Sequence, residues 1–507
     1  MLRVVIIKPS KYGLKGYVER FRRGFMPNST VPYIRSMTPA SVDGVDIETH
    51  AVDEYVQTDL GYLDLLRNPS DPTLLALVGV QSHQFQRSLD LAAFARANGV
   101  RHCIIGGPHP MTCDTSMLQN RGVSFALAEA EMIWMQILKD AVQGELQPVY
   151  GADRRWAGEL QAPVLIPPSE RDLRRYIVPM LGIYPARGCP FTCNFCSVIK
   201  IAGRQVRSQP IETTMESLRK AKAAGVRMVM FTSDNFNKYP EAAGLLEQMI
   251  AEEINIPFFV QCDTQISNQE EIVRLLGKAG CFEVFVGVES FSRETLLAVH
   301  KTQNHPSTYS DIVKLCRKYH VLTHFSNIIG FPEDTAKSIR EQLDVLLGLD
   351  PDVASFYILT PIPGTEQYDD FLARGWITEQ NLDRLDGTRT TWRHPNLSWP
   401  EWQGLLFDCY RKFYSPRHIL MHGLKGFHRD AFGGFLAYLG HPLFNRYAVL
   451  KKRHPMSGGV ADVHIDSVSA YEDLRQKQFG FRQLPLPKSL RLSKADAELN
   501  RRAKLAI

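Results

Sequence analysis

Six apolar runs alternate with five amphipathic stretches through the middle of this chain, and that rhythm restricts its fold more than any other feature. The runs lie at 181–186, 227–232, 257–262, 282–288, 322–329 and 354–360; the stretches between them lie at 211–224, 240–253, 268–279, 307–319 and 335–349. Strands joined through helices run parallel, because each crossover returns the chain to the end of the sheet from which it started. Residues 174–374 are therefore expected to form a parallel sheet curling into a partial (β/α)6 barrel, with Asn268 and Asp334 capping two of its helices. Chemistry in such a barrel belongs at the C-terminal ends of the strands.

A looser alternation precedes it. Apolar runs at 4–7, 74–80 and 102–105, with a helical pattern at 88–98, predict a separate α/β unit over residues 1–150. Gly106-Gly107-Pro108-His109 follows the third run directly. A glycine pair there either lets backbone approach a ligand or simply makes a tight turn. Residues 151–173, with Pro163, Pro167 and Pro168, read as a surface linker. Residues 375–507 lose the alternation and are expected to be mostly helical, a substrate or capping region whose last stretch, 493–506, frays.

Composition narrows the class. Nine cysteines in a chain of 507 residues that is 44% apolar read as thiols or metal ligands of a cytoplasmic protein, since such a chain needs no disulfide staples. The first ten residues read as a strand rather than a secretory leader. A net charge of +5 does not single out nucleic acid as a partner. Between Arg411 and Pro455, nine Lys or Arg stand against one acid, Asp430. This admits an anionic substrate or peripheral contact with an anionic membrane. The apolar stretch 432–440 is far shorter than the roughly 20 residues of a span. His418, His422, His428, His441 and His454 are read as having no pairwise ligand pattern.

The sharpest motif is Arg187-Gly188-Cys189-Pro190-Phe191-Thr192-Cys193-Asn194-Phe195-Cys196, directly after the first central strand. Three thiolates satisfy three irons of a four-iron cluster and leave one iron open. Zinc prefers four ligands, usually as two spaced pairs, and no second pair follows. Cys262, Cys281, Cys316 and Cys409 lack motif spacing and read as core thiols.

Motif and strand–helix units together resemble the radical S-adenosylmethionine (SAM) superfamily over roughly residues 174–374. The resemblance implies a 4Fe-4S cluster on Cys189, Cys193 and Cys196, S-adenosylmethionine on the open iron, and cleavage to a 5′-deoxyadenosyl radical. It implies cofactor contacts from Phe195, from Asp234 and Asn235 after the second strand, from Glu289 after the fourth, and from Gly330 after the fifth. The plain alternatives are turn chemistry and helix capping.

The first unit, Rossmann-like, resembles the cobalamin-binding domain of cobalamin-dependent radical enzymes. The matching residues are Val80-Gln81-Ser82, Gly106-Gly107-Pro108-His109-Pro110 and Ala128-Glu129-Ala130-Glu131. Gly106, Gly107 and His109 become candidate cobalamin contacts. The Asp-x-His-x-x-Gly pattern of cobalt-ligating histidines is missing, so cobalamin would bind without a protein ligand beneath it.

The leading expectation is a cobalamin-dependent C-methyltransferase acting on a small molecule, anionic or lipid-like, with a reducing partner such as flavodoxin or ferredoxin. It requires both α/β units to face one cavity. The alternatives are a non-methylating cyclase or rearrangement enzyme, resembling the anaerobic porphyrin cyclases, and a cobalamin- or cluster-binding sensor. Methylthiolation is disfavoured, because Cys103 and Cys113 are too few for a further cluster in the first unit.

Overall fold

The structure is a computed structural model. It describes residues 1–455 and 458–503; the side chains of 425–437, including His428 and most of the stretch 432–440, lie outside the described residues.

The first sheet contains β1 (Leu2–Lys8), β2 (Val45–Asp53), β3 (Thr73–Leu77), β4 (His102–Gly106), β5 (Ser124–Ala126) and β6 (Val149–Tyr150). They run parallel in the order β2-β1-β3-β4-β5-β6, with a short antiparallel strand, Ser41–Val42, outside β2. The order reverses between β1 and β3, the place where doubly wound sheets of this kind bind ligands. The apolar runs foretold β1, β3 and β4. They missed β2, a half-buried strand of sequence VDIETHAVD with no apolar run, and β5 and β6, which are only a few residues long.

The second sheet is built from β7 (Leu181–Ile183), β8 (Val229–Phe231), β9 (Phe258–Cys262), β10 (Cys281–Glu289), β11 (Leu322–Ile329) and β12 (Val353–Ile358). All pair parallel and stand in chain order, with β7 and β12 at the edges. Helices Ile211–Ala223, Ala242–Ala251, Glu270–Ala279, Tyr309–Lys318 and Ala336–Leu349 fill the connections, and a short helix, Arg293–Ala298, is added after β10. Two expected caps shift. Gln269, not Asn268, precedes Glu270–Ala279, and Thr335, not Asp334, caps Ala336–Leu349 in a capping box with Ser338. Asp334 instead accepts from the amides of Gly330 and Phe331, each at 2.9 Å, and so holds the loop after β11.

One continuous apolar cluster joins Leu2, Val4, Ile6, Leu74 and Ala76 of the first sheet to Leu181, Val229, Phe258, Val284 and Phe325 of the second. The opposite face of the first sheet is covered partly by Leu382, Leu385, Phe479 and Leu484 from the C-terminal region. That region is largely helical, as expected, with helices Trp399–Phe413, Pro416–Leu450, Glu472–Phe479 and Lys494–Arg502. It wraps both sheets rather than capping one mouth: Tyr414 donates to the Ala354 carbonyl at 2.8 Å, and Gly459–Asp462 pairs with Phe21–Gly24. Among the described residues, no helix is long and apolar enough to cross a membrane.

The segment 151–173 runs mostly exposed or half-buried, anchored by buried Trp156, Leu160 and Leu165. The final helix is described to Arg502, and 504–506 lie outside the described residues. Ser493 caps it, and fully buried Asp496 accepts from the Arg155 amide at 3.0 Å.

Candidate active site

The cysteine loop begins where β7 ends. Ala186–Arg187 pairs antiparallel with Arg207–Ser208, which closes the loop into a hairpin-like collar. Gly188 needs its φ of +107°, because a Cβ there would lie 2.1 Å from the Gln205 carbonyl oxygen. Its amide donates to Asp234 Oδ2 at 2.8 Å. Asn235 Nδ2 donates to Cys189 Sγ at 3.0 Å, and Gln303 Nε2 lies 3.8 Å from Cys193 Sγ. The loop after β8 therefore grips the cysteine loop through two adjacent side chains.

Burial pushes the Cys196 thiol up to about 12 and also raises Cys189 and Cys193. A coordinating metal reverses this by deprotonating the thiols outright. Among the described residues, the three sulfurs do not gather within 4.8 Å of one another. A single zinc ion, about 2.3 Å from each sulfur, would need them within about 4 Å.

Glu289 closes β10 with a φ of +61°, at an irregularity in its pairing with β11. A glutamate held in the left-handed region at a strand end is strained, and such strain clusters at functional sites. Its Oε1 accepts from Lys301 Nζ at 2.9 Å. Burial works against the Lys301 charge, but Glu289 and the Cys193 sulfur outweigh it and hold the ammonium above its usual range. Lys301 also lies 5.9 Å from the Phe195 ring centre, and Phe195 meets Phe331 edge-on at 6.4 Å. Gln303 and Lys301 thus approach Cys193, while Asn235 approaches Cys189. Lys301 and Gln303 were invisible in the sequence, because they follow a short helix with no motif around them.

A cavity of about 280 Å³ opens between the two sheets. Gly79, Gly106, Gly107 and Ala128–Glu131 line it from the C-terminal ends of β3, β4 and β5, and Tyr184, Arg187, Thr232 and Asp234 line it from β7 and β8. Ile104, Ala126, Ile133 and Trp134 supply an apolar wall. Arg187 Nη1 lies 2.8 Å from Glu131 and 3.4 Å from Glu129, while Arg207 pairs with Glu129 at 2.7 Å. Tyr33 donates to Glu131, and Arg187 also rests on the Tyr33 and Tyr184 rings. Charged residues of the first sheet are thus tied to the strand that carries the cysteine loop.

His109 and Gly330 sit differently from their expected roles, while Gly107 lines the cavity and also makes a tight backbone contact. His109 is buried away from the cavity, its ring 3.9 Å from Phe85 and its Nδ1 2.9 Å from Ser82 Oγ. Gly107, at φ +133°, is needed for packing: a Cβ there would come 2.2 Å from the Val80 amide nitrogen. Gly330 is covered by the Trp402 indole, 2.2 Å from where its Cβ would stand. Gly106 remains a bare cavity edge.

Residues 183–346 match the family described as "Radical SAM superfamily". The chain is 26% identical over 302 residues to a bacteriochlorophyllide d C-12(1)-methyltransferase of Chlorobaculum tepidum, covering 58% of this chain and 64% of that protein. It is 24% identical over 276 residues to an anaerobic magnesium-protoporphyrin IX monomethyl ester cyclase of Cereibacter sphaeroides, covering 50% of this chain and 42% of that one. Its fold is similar to that of the radical S-adenosylmethionine methyltransferase TsrM from Kitasatospora setae, solved with cobalamin and a 4Fe-4S cluster. The TM-score is 0.63 at 15% identity, over 89% of this chain and 99% of that chain.

Proposed function

The chain contains a radical SAM domain, and on that premise we propose that it is a cobalamin-dependent radical C-methyltransferase acting on a small molecule. The observation that carries the reading is the single cavity lined by the C-terminal ends of both parallel sheets. Domains follow from it: residues 1–150 hold cobalamin, 174–374 form the partial barrel for cluster and S-adenosylmethionine, 151–173 link them, and 375–507 shape the substrate side.

Cys189, Cys193 and Cys196 hold the 4Fe-4S cluster; Gly79, Gly106 and the apolar wall hold cobalamin. When bound, these groups supply electron transfer to S-adenosylmethionine and a methyl group for a carbon radical. The chain's own residues position and enclose. Asp234 and Asn235 fix the cysteine loop. Glu289, held by Lys301, offers a carboxylate to ribose hydroxyls. The Glu129–Arg187–Glu131–Arg207 network keeps the two sheets at a set distance, so the two cofactors face one substrate.

The substrate carries an anionic group. A second cavity, about 670 Å³, is lined by Lys15, Arg389, Lys451 and Lys452 beside Trp399 and Phe407. Glu19, Glu379 and Asp462 line the same cavity, with Arg389 acting on Glu19 and Lys15 on Asp462, so the cations only partly outweigh the acids there. Electrons come from a reducing partner of the flavodoxin or ferredoxin kind in the cytoplasm. Cyclisation without methyl transfer is the second reading, favoured by the similarity to the Cereibacter sphaeroides cyclase.

The test is anaerobic reconstitution with iron, sulfide and cobalamin, followed by S-adenosylmethionine and a strong reductant. Formation of both 5′-deoxyadenosine and S-adenosylhomocysteine supports methylation. Deoxyadenosine alone moves the assignment to cyclisation or rearrangement. Full activity in Cys193→Ala overturns the radical mechanism.

A further inference from the structure

A histidine pair far from the cysteine loop in sequence meets a carboxylate from a different element. His418 and His422 stand four residues apart in helix Pro416–Leu450, so they share one face. Their rings lie 4.1 Å apart, inclined by 32°. Asp350 ends helix Ala336–Leu349 with a φ of +55°, and that turn swings its carboxylate toward the pair. His422 Nε2 is 3.8 Å from Asp350 Oδ1. One donor atom from each of the three residues lies within 4.8 Å of the other two.

We propose that Asp350, His418 and His422 form a divalent transition-metal site of the zinc class, which clamps the long C-terminal helix to the helical layer of the second sheet. The donor set selects the ion. Two imidazoles and one carboxylate suit zinc and its neighbours, whereas magnesium and calcium require oxygen ligands. The surroundings prepare the site. Arg317 Nη2 donates to Asp350 Oδ2 at 3.2 Å and to its carbonyl at 3.1 Å. This fixes the carboxylate beside the pair, with Oδ1 the atom nearest His422, an outer contact of the kind that orients metal ligands. The Phe413 ring packs 4.4 Å from His418 and restricts its rotation. His422 is buried, while Asp350 is 40% exposed, so water completes the coordination from the solvent side. Metal–ligand bonds of about 2.0–2.2 Å require the donors to draw together by roughly 1 Å, within reach of side-chain rotation.

Sequence spacing contained half of this. His418 and His422 are a four-residue pair on a helix, contrary to the reading that the basic segment has no pairwise ligand pattern; the third ligand came only from the fold. The site is independent of the methyltransferase reading.

The test uses full-length protein with its cysteine cluster loaded, so that the cysteines do not compete for zinc. After dialysis against zinc and removal of the excess, elemental analysis should find about one zinc per chain beyond the cluster iron, and zinc should raise the unfolding temperature. Asp350→Asn, which tolerates the same backbone turn, should bind zinc at least about tenfold more weakly, since losing a direct ligand costs no less than the roughly 10–100-fold typical of its outer partners. His418→Gln and His422→Gln should each lose the bound zinc and the zinc-dependent shift while keeping the iron content of the wild type. No zinc in the wild type, or equal zinc in wild type and variants, overturns the proposal.

Discussion

Arg187, two residues before the first motif cysteine, holds Glu131 of the first sheet at 2.8 Å, with both side chains largely buried. One guanidinium thereby couples the edge of the proposed cobalamin site to the start of the cluster loop. Removing one member of a buried pair leaves an uncompensated charge and costs about 3–5 kcal/mol. Arg187→Met should therefore destabilise by about that amount in chemical denaturation. The double variant Arg187→Met with Glu131→Gln should recover part of the loss. If the single and double variants are equally unstable, the pair does not act as a unit.

Lys301 is expected to act through Glu289. Lys301→Met should weaken S-adenosylmethionine binding to the cluster-loaded protein by about tenfold or more, roughly 1.4 kcal/mol, with iron content unchanged. Because Glu289 and Cys193 hold the Lys301 ammonium above its usual range, it stays protonated at neutral and mildly alkaline pH. Binding in the wild type should accordingly show no Lys301 titration between pH 6 and 9. Equilibrium dialysis across that range checks both points.

The two neighbouring glycines should separate cleanly. Gly107→Ala forces a Cβ against the Val80 nitrogen in a backbone region that alanine avoids, so it should cost about 3 kcal/mol or more or prevent folding. Gly106→Ala meets only the Ala126 Cβ, at 3.1 Å, and should leave thermal unfolding nearly unchanged while narrowing the cavity. Cobalamin retention after gel filtration is the second readout, and it should fall for Gly106→Ala.

His109 should contribute to acid sensitivity. Burial pulls its pKa down to about 3, against about 6.5 in an unfolded chain. The unfolded state therefore takes up the proton first. Its stability contribution is complete above about pH 6.5 and is lost as pH falls toward 3, by up to about 5 kcal/mol at 1.36 kcal/mol per unit. His109→Gln should flatten the stability profile between pH 6.5 and 4, measured by urea denaturation. An unchanged slope would mean that folding does not shift the His109 pKa.

Much of the centre of the molecule was legible because local physics repeats there. Each strand of the second sheet is an apolar run, each crossover an amphipathic helix, and the cysteines lie within eight consecutive residues. Asp234, Asn235 and Glu289 could be placed because each directly follows a strand. Their partners could not. Lys301 reaches Glu289 from beyond the next helix, and Glu129 meets Arg207 across 78 residues. His109 was misplaced because a histidine beside a glycine pair looks the same in sequence whether its ring enters a cavity or, as here, the core.

The sequence by itself determined what hydrophobic periodicity and close cysteine spacing can encode: an α/β chain, a six-stranded parallel sheet, and a three-thiolate site at the end of its first strand. Only the tertiary structure decided which faces meet. The β2-β1-β3 strand order, the cavity shared by two sheets, the Arg187–Glu131 link, and the approach of Asp350 to His418 and His422 all join residues distant in sequence. Such contacts depend on three-dimensional packing, which leaves no fixed spacing along the chain to read.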